Sequence, residues 1–341
     1  MPFIDFVCPI CRGPLQRGPD AYICARDRRS YPVIFGIPDF RVDRDYQAMA
    51  GTGEDVMRRI ISEYHGASFA ELMQHDPGQS PVFPPGLRAK KRVHIESGIL
   101  RARDSLEEVQ RLVTLPARDR FLEIGCGPGG FLIAASNMFH TVVGLDINPV
   151  RLVLAKKRLE EANKQAVLVC ACAEFLPFPE GVFHLVVGAD VIEHVKDPVQ
   201  VMHQTHRVLA PGGAVFLATP NRWSLTPEPH VNVWGVGFLP RAWRERYVEL
   251  VRHLPYRDIS LFNWYELRRL LSQTRFTRWQ IILPTLPAGH IAGLPAWART
   301  AVPFYHWFKD FALTKWAVYL FGPLFHAICQ KGQSHIPFGL L

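Results

Sequence analysis

The chain has 341 residues, 48% hydrophobic and 21% charged, with 39 Lys+Arg against 31 Asp+Glu for a formal net charge of +8. At ~150 residues per domain this length suggests roughly two domains, and the balance, with a mean hydropathy of +0.02, excludes a disordered or collagen-like chain. The basic excess suits RNA or an anionic membrane surface without choosing between them.

Seven cysteines, an odd number, and a start, MPFIDFVCPI, without a basic then apolar leader lead to the expectation of a cytoplasmic protein with free thiols. Residues 1–40 read as a small β knuckle, in which Cys8, Cys11 and Cys24 have the spacing of a zinc ribbon. The fourth position holds Asp27, so a zinc site and a metal-free knuckle packed on Tyr31, Val33, Ile34 and Phe35 both remain open. Residues 41–118 read as a linker and N-terminal helices: a charged stretch to Glu63, a Pro/Gly-rich break over 76–86, and one helix over 93–113.

From Arg120 short apolar runs alternate with helical patterns, which predicts βαβ units and a parallel sheet in an α/β fold. RFLEIG, TVVGLD, AVLVCA, VFHLVVGA and AVFLAT are five strands, with WQIILP and LFHAICQK as the sixth and seventh. Helices are predicted over 129–139, 149–164, 197–209 and 265–271, the third with Asp197 as N-cap and Pro198 at its first position. Residues 279–298 carry no formal charge, but their prolines and glycines exclude a spanning helix.

The first strand runs into GCGPGG, where glycines let the backbone approach a ligand closely. Glu123 precedes this loop, and Asp146 ends the second strand where a carboxylate can take ribose hydroxyls. The E-x-G-x-G-x-G form, CAEFLPFPEGVFHLVV, VIEHVKDP, VLAPGG and ATPN together resemble class I S-adenosylmethionine (SAM) methyltransferases, particularly the ubiquinone- and menaquinone-biosynthesis group, over about residues 120–222.

That resemblance implies a Rossmann-like seven-stranded methyltransferase sheet over 119–341, with the small N-terminal β knuckle, a helical aromatic C-terminal insertion, and substrate or lid insertions at 222–257 and 288–322. It implies SAM as cofactor. Glu123, Gly125, Cys126, Gly127 and Gly129 would approach its methionine end, Asp146 and Ile147 its ribose, and Cys172, Ala173 and Glu174 its adenine, with Asp190 at the border of the site. Two positions depart from the family: Cys172 replaces an acid and His184 an Asp.

Asp190, Glu193 and His194 form D-x-x-E-H, which resembles the E-x-x-E-H element of ubiquinone O-methyltransferases and small-RNA 2′-O-methyltransferases. There it holds a divalent ion, and Mg²⁺ or Mn²⁺ would suit these ligands. His230, in PEPH, is a further ligand, a general base or a turn cap. His194, His230 and Glu193 are therefore the candidate catalytic residues.

The knuckle resembles the ribbon that precedes several methyltransferases and the ribbon activator of tRNA and rRNA methyltransferases. Between the last two strands nine aromatic side chains, from Trp297 to Phe321, read as a membrane-interface helix or lid, or as a helical cap or dimer face. The expected function is methylation of a small hydrophobic or lipid-linked acceptor at a hydroxyl oxygen, with peripheral membrane contact through 297–321. The alternatives are RNA methylation and, less favoured, a non-catalytic SAM-binding partner subunit. No pattern fixes the oligomeric state.

Overall fold

A computed structural model describes residues 4–42, 54–286, 291 and 296–332. Trp297, expected as an interface aromatic, and the start of the expected insertion at 288 lie outside the described side chains and residues.

Four short strands, β1 (Leu15–Arg17), β2 (Ala21–Cys24), β3 (Ser30–Ile34) and β4 (Ile37–Pro38), form an antiparallel sheet in sequence order. After α1 (Glu54–Glu63), α2 (Phe69–Leu72), α3 (Pro85–Glu96) and α4 (Gly98–Leu112), a second sheet begins. Its strands are β5 (Arg120–Ile124), β6 (Thr141–Asp146), β7 (Val167–Cys170), β8 (Phe183–Ala189), β9 (Leu209–Pro220), β10 (Arg278–Ile282) and β11 (Leu324–Gln330). They lie in the order β10-β11-β9-β8-β5-β6-β7. β11 runs antiparallel to both neighbours and the other pairs are parallel, so this is a seven-stranded mixed α/β sheet of the kind the resemblance implies.

Successive strand residues point to opposite faces. Leu122, Val143, Val186 and Val215 therefore join one core, while Phe121, Val142, Val187 and Phe216 join the other. Because both faces are covered, the parallel strands read as continuous apolar runs. The crossover helices are α5 (Gly130–Ala135), α6 (Pro149–Glu161) and α7 (Pro198–Val208). Asp197 caps α7 as its sequence predicts, accepting from the Gln200 N–H at 2.9 Å with Pro198 at the first position. Beyond β9 come α8 (Arg241–Arg252), α9 (Trp264–Ser272), α10 (Ala296–Asp310) and α11 (Lys315–Phe321). No helix among the described residues is long and apolar enough to cross a membrane.

The N-terminal segments depart from the sequence reading in two ways. The expected single helix over 93–113 is divided at Ser97, because Gly98 there meets Gly130 backbone to backbone: a Cβ on Gly130 would stand 2.9 Å from the Gly98 carbonyl carbon. The break over 76–86 is packed rather than loose. Asp76 is buried, accepts from the Gly78 N–H at 2.7 Å and pairs with Arg151 of α6 at 3.2 Å.

The knuckle closes the β7 edge. The Phe40 N–H donates to the Cys170 carbonyl at 2.7 Å and the Val7 N–H to Pro177 at 3.0 Å. Phe6, Tyr22, Tyr31 and Phe40 stack into a ring cluster that reaches Phe178. An edge strand with unpaired backbone groups is thereby covered.

Candidate active site

The sheet carries its polar residues at the carboxyl ends of β5, β6, β8 and β9, where open α/β sheets bind ligands. Gly125 and Gly127 have φ of +70° and +48°. A Cβ on Gly125 would collide with Val191, whereas one on Gly127 would project into open space. Asp146, at the end of β6, ties this loop down: Oδ2 accepts from the Gly127 N–H at 2.8 Å and Oδ1 from the Asn148 N–H at 2.8 Å. Glu123 is buried, and its Oε2 has no hydrogen-bond partner among the described residues. Burial and the neighbouring Asp146 push its carboxyl well above the usual range.

At the β7 end, Cys172 is buried, which pushes its thiol up to about 12. Ile147, just after β6, is half-buried, and its carbonyl accepts from the Cys170 thiol at 3.6 Å. Ala173 is buried. Glu174 is committed to structure: its Oε1 accepts from the Lys196 and Asp197 N–H groups at 2.9 and 3.4 Å, fixing the entrance to α7.

After β8 the structure regroups the expected acidic-histidine set. Glu193, His194 and His230 offer ligand atoms that all lie within 4.8 Å of one another, and Asp190 is not part of that cluster. Asp190 has φ +55° and turns its carboxylate toward His94 of α3 at 3.7 Å. The His194 and His230 Nε2 atoms are 3.0 Å apart.

Each member has a distinct electrostatic setting. Glu193 is fully buried; Oε2 accepts from the Thr219 hydroxyl at 3.1 Å and Oε1 has no partner. Burial, then Asp190, pushes its carboxyl up to about 8. Burial and the neighbouring His230 lower His194 to about 3, so it is neutral at ordinary pH. Burial alone would also lower His230, but the Glu228 carboxylate bonded to its Nδ1 holds it above the ordinary value. Glu228 further accepts from the His230 and Val231 N–H groups at 2.9 and 3.0 Å.

Glu228 and Thr219 escaped the sequence reading. Glu228 had a signal, a carboxylate two residues before His230 in a Pro-bounded turn. Thr219 had none beyond its place at the end of β9.

In the knuckle, Cys8, Cys11, Cys24 and Asp27 also converge within 4.8 Å. The Cys8 sulfur lies 3.2 Å from the Tyr31 hydroxyl and 3.5 Å from Asp27, and the Cys11 and Cys24 sulfurs are 3.4 Å apart.

Residues 99–281 match the family model described as a methyltransferase domain. The chain belongs to that methyltransferase-domain family. Among curated relatives it is similar to the ubiquinone biosynthesis O-methyltransferases of Thiobacillus denitrificans, 34% identical over 107 residues covering 31% of this chain and 46% of the relative, and of Brucella ovis, 33% identical over 103 residues covering 30% and 42%. The chain thus spans about half the length of the curated relatives it matches. Among solved structures it is similar to Bacillus subtilis YcgJ, at 17% identity and a TM-score of 0.44 over 67% of this chain and 99% of that one. Haemonchus contortus phosphoethanolamine N-methyltransferase 2 is similar at 18% identity and a TM-score of 0.48 over 78% and 61%.

Proposed function

We propose that this methyltransferase-domain protein transfers a methyl group from SAM to a hydroxyl oxygen of a small hydrophobic or lipid-linked acceptor. The observation that carries this reading is the Glu193, His194 and His230 cluster, oriented by Glu228, at the sheet edge that also holds the glycine loop and Asp146.

The residues present fit SAM. Gly127 leaves open space above the loop, Glu123 keeps an unpartnered buried oxygen suited to a cationic ligand, and Asp146 retains lone pairs beyond its two backbone bonds. Glu123 and the Gly125 to Gly129 loop, with Cys126, would hold the methionine end, Asp146 and Ile147 the ribose, and Cys172 and Ala173 the adenine edge. SAM supplies an activated methyl group, so the protein's part is alignment and removal of the hydroxyl proton.

A divalent ion also fits the cluster. One carboxylate with an orphaned buried oxygen and two imidazoles form a donor set nearer to Mn²⁺ or Zn²⁺ than to Mg²⁺. Glu193, His194 and His230 would hold the ion, which would orient and acidify the hydroxyl. Glu228 fixes the His230 tautomer by accepting from Nδ1, which leaves Nε2 facing the cluster. Without an ion, His230 Nε2 is the atom placed to take the proton.

In the knuckle, three thiols and Asp27 fit zinc, with the Tyr31 hydroxyl beside Cys8. Phe304 and Trp307 on α10, Phe311 in the turn after it, and Trp316 and Phe321 on α11 stand exposed, which supports contact with a membrane surface or a greasy acceptor. The knuckle cluster favours a second reading, RNA methylation, because such ribbons accompany RNA methyltransferases.

The test is calorimetry with SAM beside methyl transfer to a lipophilic catechol. Asp146→Ala should weaken SAM binding by ~1–3 kcal/mol through lost charge-assisted hydrogen bonds. Chelation should stop transfer, Mn²⁺ should restore it, and SAM affinity should persist throughout. A wild-type protein without SAM affinity rejects the reading, and transfer to ribosomal or transfer RNA alone promotes the second one.

A further inference from the structure

Beside His194 lies a cavity of about 520 Å³, enclosed by the start of α8 and the loop over 256–260. Its walls mix apolar with charged side chains. They carry Lys196, Arg241, Arg244 and Arg257 against the carboxylates Glu245 and Asp258. Arg257 is occupied by an ion pair with Glu245.

Arg241 and Arg244 have no carboxylate in ion-pair contact among the described residues. Arg241 donates to the Ser260 hydroxyl, and Arg244 donates Nε to the Leu239 carbonyl at 3.1 Å. Arg244 is only 7% exposed. A guanidinium does not shed its proton at any ordinary pH, so it stands as a buried cation without a contact ion pair, Glu266 acting on it only from a distance, and an anion seated beside it would stabilise it. A second observation is independent of charge. Tyr256 lines the same cavity, is 6% exposed, and its buried hydroxyl has no hydrogen-bond partner among the described residues. Buried donors are nearly always satisfied.

We propose that this cavity seats a carboxylate or phosphate group belonging to the acceptor, held by Arg244 and Arg241 with Tyr256 as donor. The identity of the occupant as acceptor rests on the methyl-transfer reading above. Guanidinium forks match the planar or tetrahedral oxygens of such anions. The loop that bears the site is fixed to the reacting centre, since the Ser260 N–H donates to the Glu193 carbonyl at 2.7 Å. An anion seated there is therefore in register with His194 and His230. The volume is that of a small-molecule site rather than an extended groove. The acceptor is accordingly an amphiphile with an acidic end, not a purely apolar molecule.

Calorimetry with inorganic phosphate, and separately with benzoate as the carboxylate probe, tests this on the full chain. Wild type should bind at least one of the two with a Kd of about millimolar order. Arg241→Gln and Tyr256→Phe should weaken it roughly fivefold and Arg244→Met roughly tenfold or more, with SAM affinity unchanged in all three. Arg241 is exposed, so its variant keeps the test decisive if Arg244→Met fails to fold. Neither anion binding to wild type, or binding unaffected by Arg241→Gln and Tyr256→Phe, overturns the proposal. A short RNA oligomer that displaces phosphate at concentrations about a thousandfold lower assigns the cavity to RNA and also overturns it. Loss of SAM affinity in wild type sinks the methyl-transfer reading alone, since the phosphate titration still reads the cavity.

Discussion

The molecule holds two clusters of metal-binding type that are built in opposite ways. Cys8, Cys11, Cys24 and Asp27 come from one short stretch, and neighbouring turns hold the sulfurs directly: the Gly13 N–H donates to Cys11 at 3.4 Å and the Asp27 N–H to Cys24 at 3.5 Å. Glu193 and His194 meet His230 from a loop 36 residues beyond His194, and side chains hold them there: Thr219 on Glu193 and Glu228 on His230. The first is a soft, thiol-rich set within the knuckle. The second is harder, leaves one buried oxygen unsatisfied, and opens onto a cavity. Closed thiolate sites stabilise folds, whereas sites with an open position do chemistry.

Removing a knuckle ligand should break the comparison most visibly. Structural zinc binds with about 10–16 kcal/mol of apparent free energy, so on the proposal of a zinc-filled knuckle Cys24→Ser should empty it in elemental analysis and expose residues 4–42 to limited proteolysis, and wild type without metal rejects that proposal. Metal retained at wild-type stoichiometry in that variant would place it elsewhere.

The opposite manipulation is Glu228→Gln, which keeps the shape but removes the charge on His230 Nδ1. Loss of such an orienting carboxylate typically costs about 10–100-fold in activity or metal affinity. Single-turnover transfer should fall by that factor while the metal content of the knuckle stays at its wild-type value and the melting temperature moves little.

Two smaller effects sharpen the contrast by touching neither cluster. Asp197→Ala removes the α7 cap and should cost about 1 kcal/mol in chemical denaturation. His184 accepts the Arg120 N–H through Nδ1 at 3.3 Å, and burial lowers its pKa from 6.5. The unfolded chain therefore takes the proton first, so this contribution is complete above about pH 6.5 and is lost as the pH falls. His184→Asn should flatten that slope in denaturation curves between pH 7 and 5.

Much of the scaffold was legible because its signals are local. All seven strands of the main sheet coincide with apolar runs, the α7 cap sits at Asp197, and the glycine loop follows β5. The misreadings share one cause, a partner distant in sequence. Asp76 reads as a turn residue until Arg151 stands beside it, and Ser97 reads as mid-helix until Gly98 meets Gly130. Asp190 stands with Glu193 and His194 in D-x-x-E-H, whereas in the structure its carboxylate lies 3.7 Å from His94.

By itself, then, the sequence determined the elements, the order of strands and helices, and the residue types at the sheet's ligand edge, because hydrophobic period, capping and glycine placement act within a few residues. Only the tertiary structure decided which of those polar groups meet. Sheet order and the path of the loop after β9 bring Glu228 onto His230, His230 onto His194, and Arg244 and Tyr256 to the cavity beside them. Such contacts are set by the spatial register of distant strands and loops, and no short-range periodicity encodes them.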